Sequence, residues 1–105
     1  MADETRPGWA FLTNHARALV HIALDPGIRL RDIGEGIGIT ERAAHRIVAD
    51  LVAAGYVTRR RIGRRNHYTV NHDLPLLDPV ARERTVGELL AVLGGGAERS
   101  GPTGG

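Results

Sequence analysis

The sequence of 105 residues contains no cysteine and no lysine, and all 14 of its basic side chains are arginines. The absence of cysteine excludes disulfide bonds, thiolate zinc sites and cysteine nucleophiles. The absence of lysine excludes Schiff-base chemistry and a P-loop lysine. Serine occurs only as Ser100, in a glycine-rich tail, so a serine nucleophile has no candidate on an ordered element. Because no histidine and acid pair into a recognisable site, the sequence predicts a protein that is not an enzyme and uses no cofactor.

Long apolar runs and aromatic side chains are also scarce. The longest apolar runs have four or five residues, whereas a helix needs about 20 to cross a bilayer. Residues 1–9 carry two acids and no apolar segment, so no secretory signal is predicted and a single cytoplasmic domain is expected. Four aromatic residues are too few for a surface that stacks on single-stranded nucleic acid. The histidines are spaced for different helix faces or lie at a strand end, which predicts no metal site.

Positive charge is concentrated in the middle of the chain. Residues 28–72 contain nine arginines and four acids, a formal charge of +5, whereas the two flanks together carry −3. Five of these arginines lie within residues 59–65, and no acid occurs between Asp50 and Asp73 to offset them. Such a cluster repels itself, and contact with a polyphosphate relieves the repulsion and releases counterions. The middle segment is therefore predicted to bind a polyanion.

Apolar spacing and capping residues predict seven elements of secondary structure. In chain order they are a helix that begins near Thr13 or Asn14 and ends before Asp25-Pro26-Gly27, a stub strand at 28–30, a short helix at 31–36, a helix at 41–54, strands at 56–61 and 66–70, and a helix at 80–93. Thr40 is expected to cap the longest helix, Gly55 to end it and Gly63 to lie at the hairpin tip. The fold class is therefore mainly α with a β-hairpin.

Apolar stripes on the helices are expected to form the core. They are Ala16, Leu19, Val20 and Ala23 in the first helix, Ile33 and Ile37 in the short helix, and Ala44, Ile47, Val48 and Leu51 in the longest helix. Tyr68 and Val70 should pack on the same core from one face of the second strand. Gly34 and Gly36 should each weaken the short helix by about 1 kcal/mol relative to alanine.

The element order resembles the winged helix–turn–helix family, and more closely the small bacterial regulators of the MarR and ArsR type. The residues that carry the resemblance are Leu30-Arg31-Asp32-Ile33, Gly38-Ile39-Thr40, residues 46–51 and Gly55-Tyr56-Val57, and it covers about residues 13–70. It implies the order α1-β1-α2-α3-β2-β3-α4. The implied organisation is an N-terminal arm at 1–12, a DNA-binding domain at 13–72, a connector and C-terminal helix at 73–93, and a disordered tail at 94–105.

The resemblance, together with the charge pattern, implies a sequence-specific regulator that binds double-stranded DNA. The helix at 41–54 would enter the major groove, where Arg42, His45 and Arg46 lie opposite the apolar stripe and can reach base edges. Thr40 and the first N–H groups suit a phosphate. The wing at 59–67 would contact the backbone or minor groove through Arg59, Arg61, Arg64 and Arg65. This hypothesis requires Arg46 and Arg64 to lie on the same side of the molecule.

Oligomeric state and partners follow from the same resemblance. Relatives of this fold dimerise through their terminal helices, so a homodimer is expected, with Trp9 and Phe11 near its interface. The chain has little else to bury the apolar stripe of the last helix, which is therefore expected to lie in that interface: Val86, Leu89, Leu90 and Leu93. A small-molecule effector of unknown identity would occupy a pocket between the terminal helices and the motif. One alternative is a winged helix that docks an acidic protein through its arginine cluster. An enzyme is a more distant alternative, because no converging polar groups can be assembled from the sequence.

Overall fold

The computed structural model describes residues 7–94 and confirms a mainly helical chain with a two-stranded antiparallel wing. Its elements are α1 (Asn14–Leu24), α2 (Leu30–Ile37), α3 (Glu41–Ala53), β1 (Val57–Ile62), β2 (Arg65–Val70) and α4 (Val86–Leu93). The predicted arm at 1–12 is described only from residue 7 onwards, and the predicted tail lies outside the described residues after Gly94.

Helix α1 is the centre of the fold, because it packs against α2, α3, β2 and α4. Thr13 caps it as predicted, since the threonine hydroxyl accepts a hydrogen bond from the Ala16 N–H at 3.1 Å. Its buried side chains are Ala18, Leu19 and Ile22. The predicted stripe was therefore wrong in part: only Leu19 is shared, and Ala16, Val20 and Ala23 are half-buried. The buried face of α1 is rotated relative to the predicted stripe because α1 has neighbours on more than one side.

The stub strand predicted at 28–30 is not formed. The turn after α1 uses the available N–H groups: the Gly27 N–H donates to the Asp25 carboxylate and the Ile28 N–H to the Asp25 carbonyl. One ladder-like bond remains, from the Tyr68 N–H to the Pro26 carbonyl at 2.9 Å, and proline has no N–H to return. The element order is therefore α1-α2-α3-β1-β2-α4.

The turn between α2 and α3 is held by two glycines. Gly38 lies in the left-handed region, with φ of 91°, and its N–H and that of Ile39 both donate to the Gly34 carbonyl, at 2.8 and 2.9 Å. A Cβ on Gly34 would lie 2.8 Å from the Ile39 carbonyl oxygen. Gly34 is thus required by a close approach of backbone, which corrects the expectation that it only weakens the helix.

Helix α3 agrees closely with its prediction. The Thr40 hydroxyl accepts a hydrogen bond from the Ala43 N–H at 3.0 Å, and Gly55 follows the helix with φ of 88°. The four predicted stripe residues, Ala44, Ile47, Val48 and Leu51, are all buried. This helix contributes more buried side chains than any other described element, which fixes the direction of its opposite face.

The wing pairs β1 with β2 in the register Val57↔Val70, Arg59↔Tyr68 and Arg61↔Asn66. Directly opposed residues of an antiparallel pair share a face, and faces alternate along each strand. Val57, Tyr68 and Val70 are buried, as predicted for the second strand, so this face is the inner one. The outer face carries Thr58, Arg60 and Ile62 of β1 and their partners Thr69, His67 and Arg65.

The last helix begins six residues later than predicted. Residues 75–85 instead form a loop that returns on itself, with the Leu76 N–H donating to the Arg84 carbonyl and a bridge between Pro75 and Thr85. Helix α4 begins at Val86 and is capped by Thr85, whose side chain forms a capping box with Glu88. Its Val86 and Leu90 are buried in the core of this same chain, beside α1, while Leu89 and Leu93 are half-buried.

Candidate nucleic-acid interface

The outward face of α3 carries the three side chains predicted to read bases. Arg42, His45 and Arg46 are all exposed and lie opposite the buried stripe. Arg42 and Arg46 line a shallow apolar hollow together with Thr40. The Thr40 hydroxyl accepts the capping bond, so its hydrogen is still available as a donor. The first turn of α3 therefore presents N–H groups and a hydroxyl beside two guanidinium groups.

The acidic side chains of the described residues leave the arginines of α3 and the wing without ion pairs. Within residues 7–94, the acidic side chains contact basic ones only in a hydrogen bond between His15 and Asp50, at 2.8 Å, and in an ion pair between Arg84 and Glu88, at 3.0 Å. Asp50 is the only acid of α3 beyond its first turn, and it faces His15 of α1. The acidic side chains of residues 7–94 therefore do not balance the positive charge of this surface.

The sheet divides the arginines of the wing between its two faces. Arg59 and Arg61 are opposite Tyr68 and Asn66 and so lie on the inner face, whereas Arg60 lies on the outer face. Arg64 follows Gly63 in the two-residue turn at the tip, where it is fully available to solvent. These positions suit Arg59, Arg61 and Arg64 for one shared surface.

Arg65 occupies a different place from the one its sequence position suggests. It pairs with Ile62 on the outer face, and its guanidinium donates a hydrogen bond to the carbonyl of Gly27 in the turn after α1. The side chain of Arg65 therefore ties the wing tip to the α1–α2 turn.

A cleft joins the wing tip to the beginning of α2 and α3. We call it the α2–wing cleft, and it is lined by Gly27, Ile28, Arg29, Leu30, Arg31, Glu41, Arg64, Arg65, Asn66 and Tyr68. Glu41 is the first residue of α3 and is followed directly by Arg42. The first turn of α3 thus lies between the wing tip and the hollow that Arg46 lines. Arg29 and Arg31 were not among the predicted site residues, although they belong to the basic middle segment.

The family model that describes the MarR family matches residues 11–64, which include all of α1 to α3 and β1. The chain belongs to the MarR family. This membership agrees with the winged helix–turn–helix resemblance that the sequence predicted.

The fold of this MarR-family chain is also similar to a solved structure. It is the crystal structure of Mycobacterium tuberculosis MarR family protein Rv2887 in complex with salicylic acid. The two sequences are 19% identical, and the two structures superpose with a TM-score of 0.52. The similarity covers 84% of this chain and 62% of the other, so the chain spans less than two thirds of that protein's length. No curated protein matches the chain.

Two further findings concern the part of the chain that the structure describes. None of its helices combines the length and apolarity that crossing a membrane requires. No three histidine or acidic side chains come together there in a group that could hold a metal ion.

Proposed function

We propose that the protein is a cytoplasmic transcriptional regulator that binds double-stranded DNA in a sequence-specific way. Helix α3 lies in the major groove, and Arg42, His45 and Arg46 contact base edges. The observation that carries this proposal is the position of the α2–wing cleft, which makes the first turn of α3 a neighbour of Arg64 at the wing tip. The arginines of the helix and the wing therefore belong to neighbouring surfaces, as one DNA duplex requires.

The roles of the remaining site residues follow from their surroundings. Thr40, at the N-terminus of α3, donates to a phosphate, because its hydroxyl and the first N–H groups face outward at the positive end of the helix dipole. Arg59, Arg61 and Arg64 hold the backbone or minor groove. Arg65 contributes charge to the same region, and its bond to the Gly27 carbonyl fixes the position of the wing.

We further propose that the protein acts as a homodimer that presents two copies of α3 about 34 Å apart, one turn of DNA. Val86 and Leu90 are used inside the protomer, so they are not part of the interface as the sequence suggested. Exposed apolar groups near the two ends of the described chain include Val92 of α4, 82% exposed, and the edge-to-face pair of Trp9 and Phe11. Sedimentation at micromolar concentration should give a dimer, and a monomer near 11 kDa would contradict this part.

Fluorescence anisotropy with a duplex operator, obtained by selection from random DNA, tests the function. Arg46→Ala should weaken operator binding by about 1–3 kcal/mol and relax the preference at one base pair, because a bidentate base contact is lost. Arg64→Ala should weaken operator and random duplex alike and lower the slope of log K against log salt by about 0.9. Arg60→Ala removes the same charge from the outer face of the wing and is the matched control.

Two results would contradict the proposal. Equal losses on operator and random duplex for Arg46→Ala would remove its base-reading role. No binding to any duplex at low salt would remove DNA as the partner and favour the alternative of an acidic protein, which gives no comparable counterion effect. The effector expected from the sequence stays a prediction.

A further inference from the structure

The α2–wing cleft contains an unusual concentration of positive charge. Its lining includes Arg29 and Arg31 from the start of α2 and Arg64 and Arg65 from the wing, against the single carboxylate of Glu41. These four guanidinium groups come from segments more than 30 residues apart in the sequence, so the fold brings them together. The cleft is open along one side and has a volume of about 380 Å³.

The part of the chain that the structure describes does not neutralise this charge. Among the described residues, Arg29, Arg31 and Arg64 form no ion pair, and Glu41 lies within 4 Å of no guanidinium nitrogen. Arg65 is held by the Gly27 carbonyl, which fixes its guanidinium at the wall of the cleft. Like charges that are held together in this way raise the free energy of the unbound protein, and an anion lowers it.

A phosphate group is the anion that best fits these donors. Guanidinium groups present paired N–H donors that match phosphate oxygens, and they are less strongly hydrated than ammonium groups. The open side allows a ligand that continues beyond the cleft in both directions. A phosphodiester within a nucleic-acid backbone has this shape, whereas a free phosphate compound leaves the open side to water.

We propose that the α2–wing cleft binds a phosphodiester group of the DNA backbone through Arg29, Arg31 and Arg64. This inference rests on the proposed function and extends the DNA contacts to α2, outside the recognition helix and the wing. Glu41 opposes the phosphate and so limits the affinity for random duplex. The affinity of the cleft for the DNA backbone then depends on two opposed effects. The guanidinium groups attract the phosphate, and the Glu41 carboxylate repels it.

The test measures affinity for a random-sequence duplex between 50 and 200 mM salt, with thermal unfolding as a check that each variant is folded. Each phosphate contact contributes about 0.9 to the slope, or a roughly 3.5-fold fall in affinity over this range. R29Q/R31Q removes two of the three guanidinium groups that hold this one phosphodiester and should therefore lose up to about 3.5-fold less affinity over this range than the unmodified protein. R60Q/R82Q removes the same charge from the outer wing face and the connector and should keep nearly the full slope.

Replacing Glu41, the one carboxylate of the cleft, is expected to raise the affinity for DNA. E41Q removes the opposing carboxylate and should tighten binding to random duplex several-fold at 50 mM salt, with the difference shrinking as salt is added. E83Q removes an exposed carboxylate from the connector instead and should leave the affinity nearly unchanged. Equal effects of E41Q and E83Q would overturn the role of Glu41.

The outcomes separate this inference from the function on which it rests. Failure of the unmodified protein to bind duplex at 50 mM salt would overturn both. Steep salt dependence that R29Q/R31Q leaves unchanged would overturn only the cleft. If inorganic pyrophosphate shifts the amide resonances of residues 27–31 while R29Q/R31Q keeps the full slope on duplex, the phosphate source is a free compound and the assignment to DNA is wrong.

Discussion

Replacing Gly34 by alanine adds a single carbon atom and tests the close backbone packing in the turn between α2 and α3. The added Cβ would lie 2.8 Å from the Ile39 carbonyl oxygen and 3.2 Å from the carbonyl carbon and oxygen of Thr40. These are backbone atoms, and the same backbone is tied to Gly34 by the bonds from Gly38 and Ile39 to its carbonyl. The turn therefore cannot move away without losing hydrogen bonds.

The magnitude follows from two opposed effects. Alanine normally stabilises a helix by about 1 kcal/mol relative to glycine, and overpacking costs roughly 1–3 kcal/mol. Because the obstructing atoms belong to the backbone, the overpacking cost should be near the upper end. We expect a net destabilisation of about 2 kcal/mol and, at about 4–8 °C per kcal/mol for a domain of this size, a Tm roughly 8–16 °C lower.

Gly36→Ala in the same helix is the matched control. Its Cβ would lie 2.8 Å from Cε1 of His21, the far end of a side chain that can rotate away. Its Tm should stay within a few degrees of the unmodified protein. Thermal unfolding by circular dichroism measures both, and duplex binding should weaken only in Gly34→Ala, because Thr40 caps α3 at the obstructed turn. A Gly34→Ala protein as stable as the original would refute the reasoning.

Two further predictions concern the wing and the first turn of α4. Arg65→Gln removes the bond to the Gly27 carbonyl and should cost roughly 0.5–1.5 kcal/mol, with faster amide hydrogen exchange in the wing, whereas Arg60→Gln should change neither. The Thr85 N–H, followed by the Arg84 side chain, lowers the pKa of Glu88 below its ordinary 4.5. The stability that this carboxylate contributes is present above pH 4.5 and lost as the pH falls below it. Acid titration of Tm should therefore show a smaller loss in Glu88→Gln, and identical titrations would contradict the role of the capping box.

The parts of the fold that were predicted correctly depend on neighbours in the sequence. The cap at Thr40, the four-residue stripe of α3 and the turn at Gly55 are each specified within one or two helical turns, so their signals are complete in the sequence. The alternation of the wing is likewise local. The predicted site residues on α3 are exposed because the stripe fixes which face is buried.

The predictions that were wrong concern places where the structure depends on contacts between segments that are distant in the sequence. The stub strand at 28–30 fails because the Ile28 N–H donates to the Asp25 carbonyl, Arg29 is the N-cap of α2 and Leu30 already belongs to that helix. The last helix starts late because the connector pairs Pro75 with Thr85. Arg29 was missed because its nearness to the wing tip is a property of the tertiary structure.

The run of arginines at 59–61 shows why charge density along the sequence is an incomplete guide to a binding surface. Three consecutive guanidinium groups in a strand cannot all face one ligand, because side chains alternate between the two faces. The register with Tyr68 places Arg59 and Arg61 on the inner face and Arg60 on the outer one. Conversely, Arg29 and Arg31 lie far from this run in the sequence and yet share a cleft with Arg64. The cationic surface proposed for DNA is therefore smaller on the wing than the sequence suggests, and it is extended by α2.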